Sequence, residues 1–186
     1  MAGDSHWSAA QENALAFLAD CHEAFSADHM TIWNLHEPSW REYKSSSWYM
    51  DRLEAEGFTV ERGTASMPTA FRARWSNGEG PVIAGYAEYD AVPGQAQAPV
   101  PYRAPRSGES PRAAGHTDPH SALGIGSLAG FLAAKHAMET QGITGTLVYF
   151  GEPAEKMCGA KPVHAAHGFY NGLDAAFSFH PHSFPA

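Results

Sequence analysis

His116, Asp118 and His120 fall within the seven residues Gly115-His116-Thr117-Asp118-Pro119-His120-Ser121. Asp118 is a good helix N-cap and Pro119 a good first helical residue, so a helix is predicted to start here. His116 then lies in the preceding loop and His120 in the first turn. Two imidazoles and a carboxylate would share one small volume, a donor set that suits a divalent transition metal such as zinc or manganese. The plainer alternative is that Asp118 only caps and both histidines are ordinary surface residues. Three other stretches bear on that choice. Glu88-Tyr89-Asp90, Gly151-Glu152-Pro153-Ala154-Glu155-Lys156 and His180-Pro181-His182 each put carboxylates or imidazoles directly after an apolar run.

Those runs are the elements that must position the chemistry. Pro81 to Ala87, Gly145 to Phe150 and Ala175 to Phe179 are short and nearly continuous in apolar residues, as strands covered on both faces are. Between the first two, residues 119 to about 139 read as a helix with Ala122, Leu123, Leu128, Phe131 and Leu132 as its buried surface. Gly124, Gly126 and Gly130 form a small face suited to close packing, and Gly142 stops the helix. A short helix over 162–170 precedes the third strand. The β-α-β-α-β alternation implies a parallel sheet with helices on its faces. Asp90, His116, Glu152, Glu155, His180 and His182 then converge on the rim where open α/β sheets carry their sites.

Upstream, residues 7 to 26 form an amphipathic helix, and a second helix is expected from about Glu37 to the stop at Gly57. Residues 58–62 and 69–75 alternate apolar with polar, predicting two half-buried strands joined near Gly63. From Ala91 to Ala114 the chain is rich in Pro, Gly, Gln and Arg without periodicity, and a loop of that length is usually functional or disordered. Arg103, Arg106 and Arg112 within it are either solvated loop charge or contacts for an anionic substrate.

Composition narrows the function classes. The chain has 186 residues, 44% of them hydrophobic and 17% charged, enough for one domain with a sizeable core. A net charge of −8 with 12 dispersed Lys and Arg argues against nucleic acid as partner. No apolar run approaches a membrane span, and residues 1–6 lack a signal-peptide pattern, so no membrane partner and a cytoplasmic location are expected. Cys21 and Cys158 read as free thiols. Seven of the 11 histidines lie at or after His116, which makes the C-terminal half the chemical half.

Four motifs, in order, resemble those of the metal-dependent amidohydrolases and exopeptidases that include aminoacylases, indole-acetyl-amino-acid hydrolases and aminobenzoyl-glutamate hydrolases. Ala87-Glu88-Tyr89-Asp90-Ala91-Val92-Pro93-Gly94 looks like that family's strand-end motif. Ala114-Gly115-His116-Thr117 looks like its Cys-Gly-His-Asn/Asp motif, Gly151 to Lys156 like its Pro-Ala-Glu-Glu motif, and Phe179-His180-Pro181 like its late His-Pro motif. The resemblance covers roughly residues 30 to 182. It implies a three-layer α/β/α fold with a mostly parallel mixed sheet and helices on both faces. It also implies that 1–186 is the N-terminal part of a catalytic domain, without the family's lid and dimerisation domain and C-terminal catalytic segment, and that the full-length protein is a homo-oligomer.

Position by position, the resemblance makes His116 and His180 metal ligands, Glu155 the general base, and Asp90 the residue that orients a ligand histidine. Two positions depart from it. Ala114 stands where a thiolate ligand is expected, and Lys156, whose ammonium cannot bind a metal, stands where a carboxylate ligand follows the catalytic Glu. Asp118, His120 and Glu152 are the substitutes at hand, and the ligand set expected is His116, Asp118, Glu152 and His180, all nitrogen and oxygen. The chemistry implied is hydrolysis of a C–N bond by metal-activated water. Its substrate would be a small anionic molecule with an aromatic or acyl part: an N-acyl or aminobenzoyl amino acid, or an activated aromatic amine losing its amino group. The competing class is a non-catalytic binding protein with a degraded metal site.

Overall fold

The computed structural model describes residues 7–181. Helix α1 (Ala9–Leu35) opens on a capping box: Ser8 Oγ accepts from the Gln11 N–H and the Gln11 side chain accepts from the Ser8 N–H. It runs nine residues past the predicted end at 26, because Ile32 repeats the buried face of Phe25 two turns on and no breaker comes before Pro38. Helix α2 (Tyr43–Ala55) starts later than predicted. Residues 37–42 form a link instead, in which the Glu37 carboxylate accepts from the Lys44 and Ser45 N–H groups at the helix start.

Strands β1 (Thr59–Arg62), β2 (Phe71–Ser76), β3 (Val82–Ala87), β4 (Thr146–Gly151) and β5 (Ala175–Ala176) form one sheet in the order β1-β2-β4-β3-β5. The β1–β2 and β2–β4 pairs are antiparallel, β3–β4 and β3–β5 parallel. Every residue of central β4 is buried, as its continuous apolar run predicts. Strand β5 stops at Ala176 rather than Phe179: the Phe177 N–H still reaches Ala84 O at 2.9 Å, but Phe177 and Phe179 are exposed at the sheet edge.

On one face of the sheet, Phe71, Ala73, Leu147 and Tyr149 pack beneath Leu128, Phe131 and Leu132 of α3 (His120–Gln141), with α1 lying across α3. On the other, Ala84, Val148 and Phe150 are covered by Phe169, Tyr170 and Leu173, which follow α4 (Lys161–Ala166). The sheet is therefore mixed and carries helical segments on both faces. Among the described residues no helix is long and apolar enough to cross a membrane.

Helix α3 begins one residue later than expected, at His120, with Pro119 as N-cap, and Asp118 Oδ1 accepts from the His120 N–H at 3.4 Å. Gly142 ends it in the left-handed region. Its glycines differ in role. A Cβ on Gly124 would strike the Tyr49 hydroxyl and come within 2.9 Å of the Glu88 carbonyl, so this glycine lets the helix start lie against the end of β3. Gly126 faces the Phe179 ring, and Gly130 faces open space. Gly124→Ala should accordingly destabilise the protein by about 1–3 kcal/mol through overpacking. Gly130→Ala should stabilise it by about 0.5–1 kcal/mol, since helical glycine only costs backbone entropy. Denaturant unfolding of both variants checks the pair, and equal effects would disprove the close-packing role.

Candidate metal centre

The end of β3 delivers Glu88 and Asp90 to one place. Residues two apart on extended chain share a face, while Tyr89 between them turns into the core, its hydroxyl donating to Thr69 O at 2.5 Å. Both carboxylates meet His120, which α3 presents from its first residue and which has no exposure at all. Asp90 Oδ1 lies 2.7 Å from His120 Nδ1, and Glu88 Oε2 lies 2.9 Å from Nε2. Burial alone would lower the imidazole pKa, but the two carboxylates outweigh it and raise it to about 9. The same contacts, with Ser39 and the Lys156 N–H on Asp90 and Lys161 on Glu88, hold both carboxyl groups below their ordinary range despite desolvation.

The turn after β4 closes the other side. Ala154 and Cys158 adopt left-handed backbone, and between them a 3-10 turn carries Glu155 and Lys156. Buried Glu42 anchors this turn by accepting from the Ala154 N–H at 2.8 Å, and Asp90 Oδ2 accepts from the Lys156 N–H at 3.0 Å. Desolvation raises the pKa of Glu42. Glu155 Oε2 stands 3.5 Å from His120 Nε2 and 3.6 Å from Lys156 Nζ, at the solvent-facing mouth with 45% of its side chain exposed. Lys156 Nζ is 2.8 Å from His120 Nε2 and pairs with Asp118. A protonated Nε2 and an ammonium cannot both aim a proton into that gap. Where the ring gives up its Nε2 proton, Nδ1–H is donated to Asp90 and the Nε2 lone pair is turned towards a cation.

Of the residues expected from sequence, Asp90, Asp118, Glu155 and His180 come to this cluster. Glu88, His120 and His180 offer ligand atoms within 4.8 Å of one another, the one such group of potential ligands among the described residues. The His180 and His120 rings are 5.9 Å apart. His116 is nearby: it lines a recess of about 550 Å³ together with Asp118, His180, His29 and Trp33. It is 2% exposed, neither ring nitrogen has a hydrogen-bond partner, and burial lowers its pKa to about 4, so it is neutral near pH 7. Glu152 stands apart. Its buried carboxylate is held by His164 Nδ1 at 2.9 Å and by the Tyr170 hydroxyl at 2.7 Å, and His164 Nε2 meets Thr64 Oγ1 at 2.7 Å. His182 lies outside the described residues.

Sequence reasoning passed over Glu88, Lys161, Ser39 and Glu42 as site residues. Glu88 had a signal, because its i, i+2 spacing from Asp90 at a strand end puts both carboxylates on one face. The others come from distant segments and carry no local signal. In the long loop, Arg106 is spent on structure, donating to Trp33 O and Gln97 O. Both cysteines are free, with Cys158 exposed.

The cluster fits a divalent metal by its donor set: His120 Nε2 and a Glu88 oxygen lie beside a second histidine, and an orphaned neutral imidazole adjoins them. Comparison with known proteins agrees. One of the subunits of the p-aminobenzoyl-glutamate hydrolase of Escherichia coli is 34% identical over 153 residues, 82% of this chain and 31% of that protein. The chain belongs to the metal-dependent amidohydrolase and exopeptidase family. Thermostable carboxypeptidase 2 of Saccharolobus solfataricus is 32% identical over 148 residues, 77% of this chain and 35% of that protein. The chain thus spans about a third of the length of these curated relatives. A Bacillus subtilis protein described as a dinuclear metal-binding peptidase of the M20 family superposes with a TM-score of 0.65 at 25% identity, over 86% of this chain and 44% of that one. The aminobenzoyl-glutamate utilization protein of Klebsiella pneumoniae, at 16% identity and a TM-score of 0.62, shares the fold over 91% of this chain and 46% of its own. No protein-family model matches the sequence.

Because Tyr170 supplies one of the hydrogen bonds to the buried Glu152 carboxylate, Tyr170→Phe should lower the unfolding free energy by about 1.5–3 kcal/mol. Denaturant titration reads this directly. A change near zero would mean that Glu152 does not depend on that bond.

Proposed function

We propose that Glu88, His120 and His180 hold a divalent transition metal, zinc or manganese, with Asp118 and His116 beside them. The observation that carries this reading is the buried imidazole of His120, tied at Nδ1 to Asp90 and surrounded at Nε2 by Glu88, Glu155 and a cationic group. When bound, the metal supplies a Lewis acid that polarises a carbonyl and acidifies a water.

The residues do the rest. Asp90 fixes the His120 tautomer and makes its Nε2 a better donor, as carboxylates behind ligand histidines do. Glu155 is the general base: it is exposed enough to meet a water and a substrate, lies 3.5 Å from the ring nitrogen of a ligand, and can return the proton to the leaving nitrogen. The reaction we assign is hydrolysis of a C–N bond in an N-acyl or aminobenzoyl amino acid, or loss of the amino group from an activated aromatic amine. The recess walled by Trp33, His29 and Pro119 supports an aromatic substrate, and the Escherichia coli relative is named for an aminobenzoyl amide.

Glu155→Gln is expected to lower kcat on an aminobenzoyl or N-acyl amino acid by on the order of 10²–10⁴ with metal content unchanged. An undiminished kcat would remove Glu155 from this role. Elemental analysis separates the ligand candidates: His120→Ala and His180→Ala should lose metal, whereas Glu152→Gln should keep it. Loss only in the Glu152 variant would reverse the assignment.

A further inference from the structure

A lysine among four carboxylates at a metal centre calls for an explanation. Glu88, Asp90, Asp118 and Glu155 surround His120, and Lys156 and Lys161 answer them with two ammoniums. Four carboxylates against two ammoniums leave the side chains around the ring short of positive charge. The two lysines are placed differently. Lys161 reaches Glu88 from the far side and stacks over the Tyr86 ring at 4.4 Å. Lys156 reaches inward, with only 23% of its side chain exposed, and touches Asp118, Glu155 and the His120 ring nitrogen together. An ammonium has donors only, so these are the contacts of a cation among ligands. Its backbone N–H on Asp90 and the Glu42-anchored turn fix the root of the side chain. Next to it, His116 keeps two unpartnered ring nitrogens in the recess that Asp118 and His180 also line.

We propose that Lys156 is a tethered cation that fills one of two cation positions in this centre and so limits it to a single divalent ion. This rests on the metal-centre reading above. Asp118 is the residue that most directly loses its freedom, because its carboxylate is paired with Lys156 rather than left for a second ion. A carboxylate at position 156 would shift the local balance by two negative charges, the amount that one further divalent ion carries. The lysine also lies against the Nε2 lone pair, so it competes with the resident ion and keeps its affinity down. The Bacillus subtilis structural relative, described as dinuclear, shows that this fold can house two ions.

The test is metal stoichiometry and affinity, measured without any substrate. The protein, Lys156→Glu and Lys156→Met are titrated with Mn²⁺ or Zn²⁺ by calorimetry, with elemental analysis after gel filtration and circular dichroism to verify folding. The expected result is one equivalent for the unaltered protein, two for Lys156→Glu, and one for Lys156→Met bound on the order of tenfold more tightly, because a like charge has been removed. Two equivalents in the unaltered protein would overturn the proposal. So would a single equivalent in Lys156→Glu combined with unchanged affinity in Lys156→Met. Should Lys156→Glu not fold, the affinity of Lys156→Met decides alone. If the unaltered protein binds no ion, the functional reading fails, yet gain of metal by the two variants still upholds the role of Lys156 and its absence ends it.

Discussion

Everything at this centre depends on one buried imidazole between two carboxylates. A histidine with no solvent contact is costly to charge, and buried carboxylates are costly to leave unpaired. Asp90, His120 and Glu88 resolve both costs only as a set, since each supplies what the others lack. That arrangement demands a positive charge at Nε2, whether a proton, the Lys156 ammonium or a metal ion.

The surrounding fold is arranged to keep that set in register. Tyr89 is locked into the core so that Glu88 and Asp90 emerge on the same side, and Gly124 lets the start of α3 approach the end of β3 closely enough for His120 to reach them. Ser39, in the link between α1 and α2, takes the second Asp90 oxygen at 2.6 Å. Glu42, three residues on, holds the turn that brings Glu155 and Lys156. The N-terminal helices are thus part of the site's frame as well as of the core. The Glu152, His164 and Thr64 chain does the same work on the opposite side of β4, tying the strand's end to α4 and to the turn at 64–66.

Much of this was legible from residue order. The buried character of β3 and β4, the start of α3 near Pro119, its stop at Gly142 and the convergence of strand ends follow from apolar runs and punctuating residues, which are local. Residue order misled where length or partners decided. Helix α1 continues through nine more residues because Ile32 finds a place in the core, and β5 pairs with β3 over only two residues before Phe177 and Phe179 turn out to solvent. Glu152 looked equivalent to Glu155 as a strand-end carboxylate. It is not, because backbone direction at Pro153 and Ala154 sends one side chain to His164 and Tyr170 and the other to His120.

What the sequence by itself determined was the list of ligand-type residues, their attachment to strand ends and the family to which the motifs point, because these follow from residue chemistry and short-range periodicity. Only the tertiary structure decided which of the paired candidates meet. It selected His120 as the hub with His116 as its unpartnered neighbour, withdrew Glu152 into a separate hydrogen-bonded chain, and turned Lys156 inward onto Asp118. The physical reason is that short-range pattern fixes which face a side chain takes, whereas the partner across the cleft is set by packing between elements 30 to 112 residues apart in the chain.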